Sequence, residues 1–512
     1  MTENKQVRVR FAPSPTGGLH LGGVRTVLYN YLFAKKHNGT FVLRIEDTDQ
    51  TRFVEGAEAY IYECLDWCGL VPDESPLKGG AFGPYRQSER KPIYKQYAEK
   101  LIEAGHAYYA FDTPDELERM RQQFKTAANP SPQYDARVRQ QMKNGLTLSA
   151  AEVQSLIQAG VPYVIRIKMP TDETITFHDL IHQDVSFDSN VVDDKVLIKA
   201  DGMPTYHLAV VVDDFLMQIS HAFRGEEWLS SAPVHIKLWE YLFGLDKMPQ
   251  WAHLPLIMGP HGKLSKRDGS KYGFPVFAMN WTDPRSHEFT EGFREKGFLP
   301  EAFVNLLAML GWNDGTGDEI FEMDALLERF SIDRVHKSGA QFDYEKARWF
   351  NQEWLKKRAP EALLTDVRQV LSRVGIDAND NAYLTTVIGL VRERCVLLSD
   401  FIQQAGYFFS TPESIDFDSI REGWNDAKQA FFRDFVNGLS ALDAWHVAAI
   451  EPLFKQYAET HQLKPGSLQL PLRLMLVGGK FGPSVLEIAA TIGKKETLQR
   501  ITHCMQTLNA KS

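Results

Sequence analysis

His20 stands immediately before Leu21-Gly22-Gly23, where a loop rich in proline and glycine gives way to apolar residues at helical spacing. A glycine-rich loop that opens into a helix suits an anion, because free backbone N–H groups and the helix dipole both point at it. A histidine there can donate hydrogen bonds to a triphosphate, and Gly22 and Gly23 would let an adenine ring approach the backbone. Neither the dinucleotide fingerprint nor the Walker lysine is present. On their own these four residues read as a helix N-terminus with a capping histidine. A second segment changes that balance: His261-Gly262-Lys263-Leu264-Ser265-Lys266-Arg267-Asp268-Gly269 is basic and bounded by glycines. Lys263, Lys266 and Arg267 are either a solvated face or the cations that phosphoryl transfer needs, where charge builds on the α-phosphate and on departing pyrophosphate. Together and in this order, the two segments point to handling of a nucleoside triphosphate.

Both segments need elements to hold them. Val7 to Phe11 alternates polar and apolar residues and predicts a strand, and Ala12 to Gly18 forbids regular structure. Leu21, Val24, Leu28, Tyr31 and Leu32 recur at helical spacing until Asn38-Gly39 supplies a stop. Phe41 to Ile45 predicts a second strand, which ends in Glu46-Asp47-Thr48-Asp49. Strand, loop, helix, strand opens an α/β sheet, whose ligands collect beyond the carboxyl ends of the strands. The loop after Phe11 and the acidic cluster after Ile45 would both lie there. From about His106 to Pro204 the texture changes, with Pro130-Ser131-Pro132, a polar helical stretch from Asp115 to Lys125 and a strand-like Tyr163 to Met169, so an insertion is expected. Sheet-like text resumes at Tyr206 to Val212 and near Leu254 to Met258, which would complete a split first domain. After Trp349 the pattern is helical.

With 512 residues, 44% apolar and 24% charged, the chain reads as a folded protein of several domains. Its net charge of -9 does not exclude nucleic acid, because local charge decides binding. Met1 to Gln6 is short and polar, and no apolar run reaches the roughly 20 residues of a spanning helix, so a soluble cytoplasmic protein is expected. Cys64, Cys68, Cys395 and Cys504 do not make a disulfide framework. Cys64 and Cys68 share a helix face without a second Cys or His pair nearby, and are expected in the core.

The two opening segments resemble the signatures of the class I aminoacyl-tRNA synthetases, a His-x-Gly-His-like and a Lys-Met-Ser-Lys-Ser-like element. His20-Leu21-Gly22-Gly23 and Lys263-Leu264-Ser265-Lys266-Arg267 are similar to the variants of the glutamyl family. So are Arg10-Phe11-Ala12-Pro13-Ser14-Pro15-Thr16-Gly17, Arg44-Ile45-Glu46-Asp47-Thr48-Asp49, Tyr85-Arg86-Gln87-Ser88-Glu89-Arg90, Arg224-Gly225-Glu226-Glu227-Trp228 and Gly493-Lys494-Lys495-Glu496. The resemblance, to the bacterial type, implies a Rossmann-type α/β catalytic domain in two halves, 1–105 and 205–260. An inserted α+β acceptor-binding domain, 106–204, would separate them. A stem-contact region, 261–348, and an all-α anticodon-binding region, 349–512, would follow.

The implied reaction activates L-glutamate with ATP and transfers it to the 3′-terminal adenosine of tRNA(Glu), with no covalent enzyme intermediate. His20, Lys263 and Lys266 would be catalytic, and with Gly22, Gly23 and Ser265 would bind ATP and its Mg2+. Glutamate carries two carboxylates and an ammonium, so a selective pocket needs fixed cations, an anion and neutral donors. By resemblance, Arg10 and the Tyr206 hydroxyl face the side-chain carboxylate, Glu46 the ammonium and Arg224 the other carboxylate. Ser14 would lend a hydrogen bond; which arginine takes which carboxylate stays open. Val210 and Phe215 depart from the family's frequent Asn and His, which implies a missing polar contact. No structural zinc is expected, since Ala107-Tyr108-Tyr109-Ala110-Phe111-Asp112 holds no cysteine. A monomer is implied, with tRNA(Gln) a second candidate substrate. The alternatives are a glutaminyl-tRNA synthetase, which the helical text after Trp349 disfavours, and a non-catalytic tRNA-binding scaffold. From Pro471 to Ser512, Arg473, Lys480, Lys494, Lys495, Arg500 and Lys511 outweigh Glu487 and Glu496, as a phosphate-binding patch or a solvated face would. Lys356-Lys357-Arg358 is a similar hint.

Overall fold

The computed structural model describes residues 6–127, 129–421 and 423–510, so Met1–Lys5 and Lys511 lie outside the described residues. The chain divides into two units, 1–295 with 303–344, and 296–302 with 345–512.

In the first unit, the largest sheet has the strand order Thr40–Leu43, Arg8–Phe11, His221–Gly225, Gln250–Leu254, Thr174–Asp179, Gln183–Asp188. The first five strands run parallel, with Val9 opposite Phe41 on one side and His221 on the other. Arg8–Phe11 is buried along its whole length, as a central parallel strand must be. The helix Leu21–Lys36 packs its buried Leu21, Val24, Leu28 and Leu32 beneath this sheet edge and ends before Asn38, whose φ is 50°. A Cβ at Gly39 would meet the Val7 carbonyl oxygen at 2.4 Å, so only glycine lets the return strand start there.

Two readings of the sequence need correction. Tyr206 to Val212 is not a strand but the start of a helix, Tyr206–Leu216. Leu208 to Val212 is buried throughout, packed between other elements, and a wholly apolar run carries no period that separates helix from strand. The hairpin Thr174–Asp188 falls within the expected insertion, yet Asp179 pairs with Trp251 and extends the main sheet. The rest of that span builds its own three-stranded sheet from Ala107–Ala110, Val164–Ile167 and Val196–Ile198. Tyr108, Met120, Tyr134 and Val138 form a small core there.

The second unit is helical from Glu345 onward, with no strand among the described residues. Phe431, Phe435 and Phe454 pack ring against ring at its centre. Much of its basic text is structural. Arg473 donates to the carbonyls of Phe481, Gly482 and Pro483, and Lys494 to that of Leu442. Arg500, 3% exposed, donates to the carbonyls of Tyr407, Leu476 and Ser410 and to Glu496. Lys480 and Lys495 stay exposed. Arg358 likewise pairs with Glu301 and Asp366. All four cysteines are buried free thiols.

Candidate active site

A cavity of about 840 Å³ opens beyond the carboxyl ends of Arg8–Phe11 and His221–Gly225. This is where the strand order reverses, the expected binding crevice of an open α/β sheet. Arg10, Ser14, Glu46, Tyr206 and Arg224 line it, as do His20, Gly22, Gly23, Lys263, Ser265 and Lys266. Every residue that the resemblance assigned to ATP or to glutamate therefore reaches one space.

On the phosphate side, His20 caps the helix Leu21–Lys36 by accepting from the Gly22 amide at Nδ1, 3.2 Å away. Its proton then sits on Nε2, which is buried and has no hydrogen-bond partner. Burial above all, and then Lys263 and Lys266, push its pKa down to about 4, so the imidazole is a neutral donor at pH 7. Phe277 joins the two signature segments: it bridges His20 through the backbone, and Lys266 Nζ lies 4.9 Å from its ring centre. Lys263 Nζ pairs with Glu227 Oε1 at 3.0 Å, both side chains being largely exposed. Ser265 does not point its hydroxyl into open space but donates it to Asp268 Oδ2 at 2.7 Å, closing a capping box at the start of Lys266–Tyr272.

Beneath the other side lies a buried ionic floor. Asp214 accepts from Arg10 at Nε and Nη2 (3.1 and 3.0 Å) and from Arg44 Nη1 (2.8 Å). Arg44 also donates to Glu46 Oε1 at 3.1 Å. Asp213 accepts from Arg90, Gln87 and Tyr94 at 2.8 to 2.9 Å. Arg10's charge is thus already compensated by Asp214. Burial raises the Glu46 carboxyl pKa, with Arg44 and Arg10 opposing it. An ammonium placed nearby would favour its charged form further. Ser14 is exposed at the rim.

Arg224 is held differently. Its Nε donates to His253 Nε2 at 3.0 Å, and its Nη1 to His235 Nδ1 at 3.0 Å and the Tyr206 hydroxyl at 3.3 Å. The guanidinium carbon sits 4.5 Å from the Trp251 ring centre. Nη2 is buried with no partner, and no ion pair involves Arg224 among the described residues. Burial first, and Arg224 with it, push His235 well below its ordinary value; burial, partly opposed by Asp179, leaves His253 at about 4. Arg224 is therefore a buried cation with neutral neighbours and an unused donor. The Tyr206 hydroxyl joins Arg224, although the resemblance had grouped it with Arg10.

Val210 is buried on the cavity wall, where it offers no hydrogen bond. Phe215 faces away, stacked on Phe243 at 3.8 Å, so its departure from the family text does not touch the pocket. Sequence reasoning missed His235, His253 and Asp179, which hold Arg224, and the counter-ion Glu227 of Lys263. The Glu227 signal was in the Arg224–Trp228 segment; the histidines carry no local pattern.

Residues 6–349 match the family described as "tRNA synthetases class I (E and Q), catalytic domain", and residues 350–505 match an "Anticodon binding domain". The fold and the site are accordingly those of a class I aminoacyl-tRNA synthetase. The chain is 48% identical to the glutamate–tRNA ligase of Amoebophilus asiaticus over 510 residues, covering 98% of this chain and 99% of that one. It is 49% identical to that of Christiangramia forsetii over 507 residues, covering 99% and 100%. A crystal structure of a glutamate tRNA ligase from Elizabethkingia meningosepticum in complex with its amino acid superposes with a TM-score of 0.93 at 45% identity, covering 98% of this chain and all of that one. The chain belongs to the glutamate–tRNA ligases.

Proposed function

We propose that the α-carboxylate of L-glutamate attacks the α-phosphorus of ATP in this cavity, forming glutamyl-adenylate as the bond to pyrophosphate breaks. The 3′-terminal adenosine hydroxyl of tRNA(Glu) then attacks the adenylate carbonyl, and AMP leaves. The observation that carries this assignment of roles is Arg224, whose uncompensated charge and unused Nη2 donor suit a carboxylate. Arg10, bound to Asp214, has less charge to offer and serves as an oriented donor. Glu46 faces the α-ammonium, and Ser14 lends its hydroxyl at the rim.

On the phosphate side, neutral His20 offers its Nε2 proton to the triphosphate, and Lys263 and Lys266 stabilise charge on the transferring and leaving phosphates. Lys263 must leave Glu227 to do so, which is cheap, because an exposed pair contributes only about 0–1 kcal/mol. Gly22 and Gly23 leave room for the nucleotide, and Ser265 shapes the loop through Asp268. Mg2+ enters with ATP, held chiefly by phosphates and water. Among the described residues no three or more His, Cys, Asp or Glu gather as a metal site, and no helix is long and apolar enough to cross a membrane. The reading makes the enzyme a cytoplasmic monomer, with tRNA(Gln) the second substrate to be tested.

The test is charging of purified tRNA(Glu) and tRNA(Gln) with labelled glutamate, beside labelled glutamine, with ATP–pyrophosphate exchange followed with and without tRNA. Glutamate on tRNA(Glu) alone, or on both tRNAs, supports the reading and sets its range. Glutamine charging would overturn the pocket roles, and absence of both charging and exchange would favour a scaffold.

A further inference from the structure

We infer that His235 and His253 are positioning residues that hold Arg224 in place while leaving its charge uncancelled, and that they thereby set the preference of this site for a carboxylate over a carboxamide. The inference rests on the assignment of Arg224 to a glutamate carboxylate.

The cradle is built across three neighbouring parallel strands. Arg224 and His253 are direct register partners, and Asp179 ends the next strand. Asp179 Oδ2 lies 2.6 Å from His253 Nδ1, and the carboxylate also accepts the backbone N–H groups of Ile181, His182 and His253. That pairing places the His253 proton on Nδ1 and turns the Nε2 lone pair toward Arg224 Nε. His235, on the helix Ala232–Leu242, accepts from Arg224 at Nδ1, so its proton is on Nε2, directed at His207 Nδ1 3.1 Å away. Both imidazoles are thus oriented as acceptors by groups behind them.

The same cavity shows the alternative. Arg10 and Arg44 are held by carboxylates, which accept hydrogen bonds from them and also cancel their charge. A carboxylate in place of either histidine would do this to Arg224. A neutral imidazole satisfies the donor and spends none of the charge, which stays available to an incoming anion. A carboxamide can accept from Nη2 but carries no negative charge, so it forgoes the Coulomb attraction that a carboxylate gains from the cation in a desolvated site.

The test compares His235→Gln with His235→Glu, which match in size and differ in charge. The full-length enzyme is assayed by tRNA(Glu) charging, with thermal melting to establish folding. His235→Glu is expected to raise the KM for glutamate at least about tenfold more than His235→Gln, and to lower the glutamate-to-glutamine ratio of kcat/KM similarly, with the KM for ATP little changed in both. Equal effects of the two variants would overturn the inference and leave His235 a packing residue. Should His235→Glu fail to fold, Asp179→Asn provides the second arm: an amide donor facing Nδ1 moves the His253 proton to Nε2, against Arg224 Nε. The KM for glutamate must then rise at least about tenfold, and no rise would again overturn the inference. Arg224→Gln separates the two levels. If it leaves the KM for glutamate unchanged, the carboxylate assignment itself fails; if it raises that KM while the His235 pair behaves alike, only the cradle fails.

Discussion

Replacing Arg224 by glutamine removes a buried cation of the pocket that pairs with no carboxylate among the described residues. Arg224 is 6% exposed, so a ligand carboxylate bound to it is withdrawn from water together with it. Removing one partner of such a desolvated, hydrogen-bonded charge pair costs about 2–5 kcal/mol. At about 1.4 kcal/mol per decade, kcat/KM for glutamate should fall by about 30-fold to a few thousand-fold. Glutamine's amide can still donate to one imidazole, but His253 Nε2 or His235 Nδ1 loses its partner, which places the result away from the lower bound. Arg224→Lys keeps the charge and loses the fork that reaches both imidazoles while stacking on Trp251, and should fall between the two, about 10- to 100-fold down. The assay is initial-rate charging of tRNA(Glu) with glutamate varied at saturating ATP and tRNA. Arg224→Gln within about threefold of the unaltered enzyme, or equal losses for glutamate and ATP, would refute the reasoning.

Lys266→Ala should slow adenylate formation about 100-fold or more, since it removes a cation from the developing phosphate charge, while tRNA affinity stays nearly intact. Single-turnover adenylation beside filter binding reads both, and equal loss in the two would exclude this role. Stability should depend on acid through the buried histidines: His253, at about 4, and His235, well below its ordinary value, stay neutral in the fold but protonate near pH 6.5 when unfolded. Their contribution is complete above pH 6.5 and is lost as pH falls toward 4, at up to about 1.4 kcal/mol per pH unit for each. Urea midpoints measured at pH 7, 5.5 and 4.5 should drop steadily, and a flat series would contradict it. Gly292→Ala should destabilise by at least about 2 kcal/mol, because its Cβ would lie 2.0 Å from the Met279 carbonyl carbon and the backbone must move. Denaturant melts read this directly.

The order of residues along the chain determined the elements that begin and end by local signals. His20 and Gly22, at helical spacing from the apolar stripe, announced the capped helix, and Asn38-Gly39 its end. The Lys263–Arg267 segment stood out by its charge, although Lys266 and Arg267 open a short helix rather than continue a loop. These are short-range effects of backbone freedom, capping and charge, and they survive without a tertiary context. The helix Tyr206–Leu216 did not, because burial on all sides erases the period that would identify it. The hairpin Thr174–Asp188 falls within the span expected as an insertion yet extends the main sheet, because pairing of Asp179 with Trp251 joins residues far apart in the chain.

The site divides in the same way. That arginines, a tyrosine and a glutamate would meet was readable, because each stands in a segment with its own pattern. Which arginine keeps its charge uncancelled was not: the composition of Arg10 and Arg224 is identical, and only the fold puts Asp214 against one and two imidazoles against the other. Charge type is a property of a residue, whereas its availability depends on neighbours that the fold brings from up to 204 positions away. Sequence alone thus determined the class of chemistry, and the tertiary structure decided which of Arg10 and Arg224 is paired with a carboxylate and which is not.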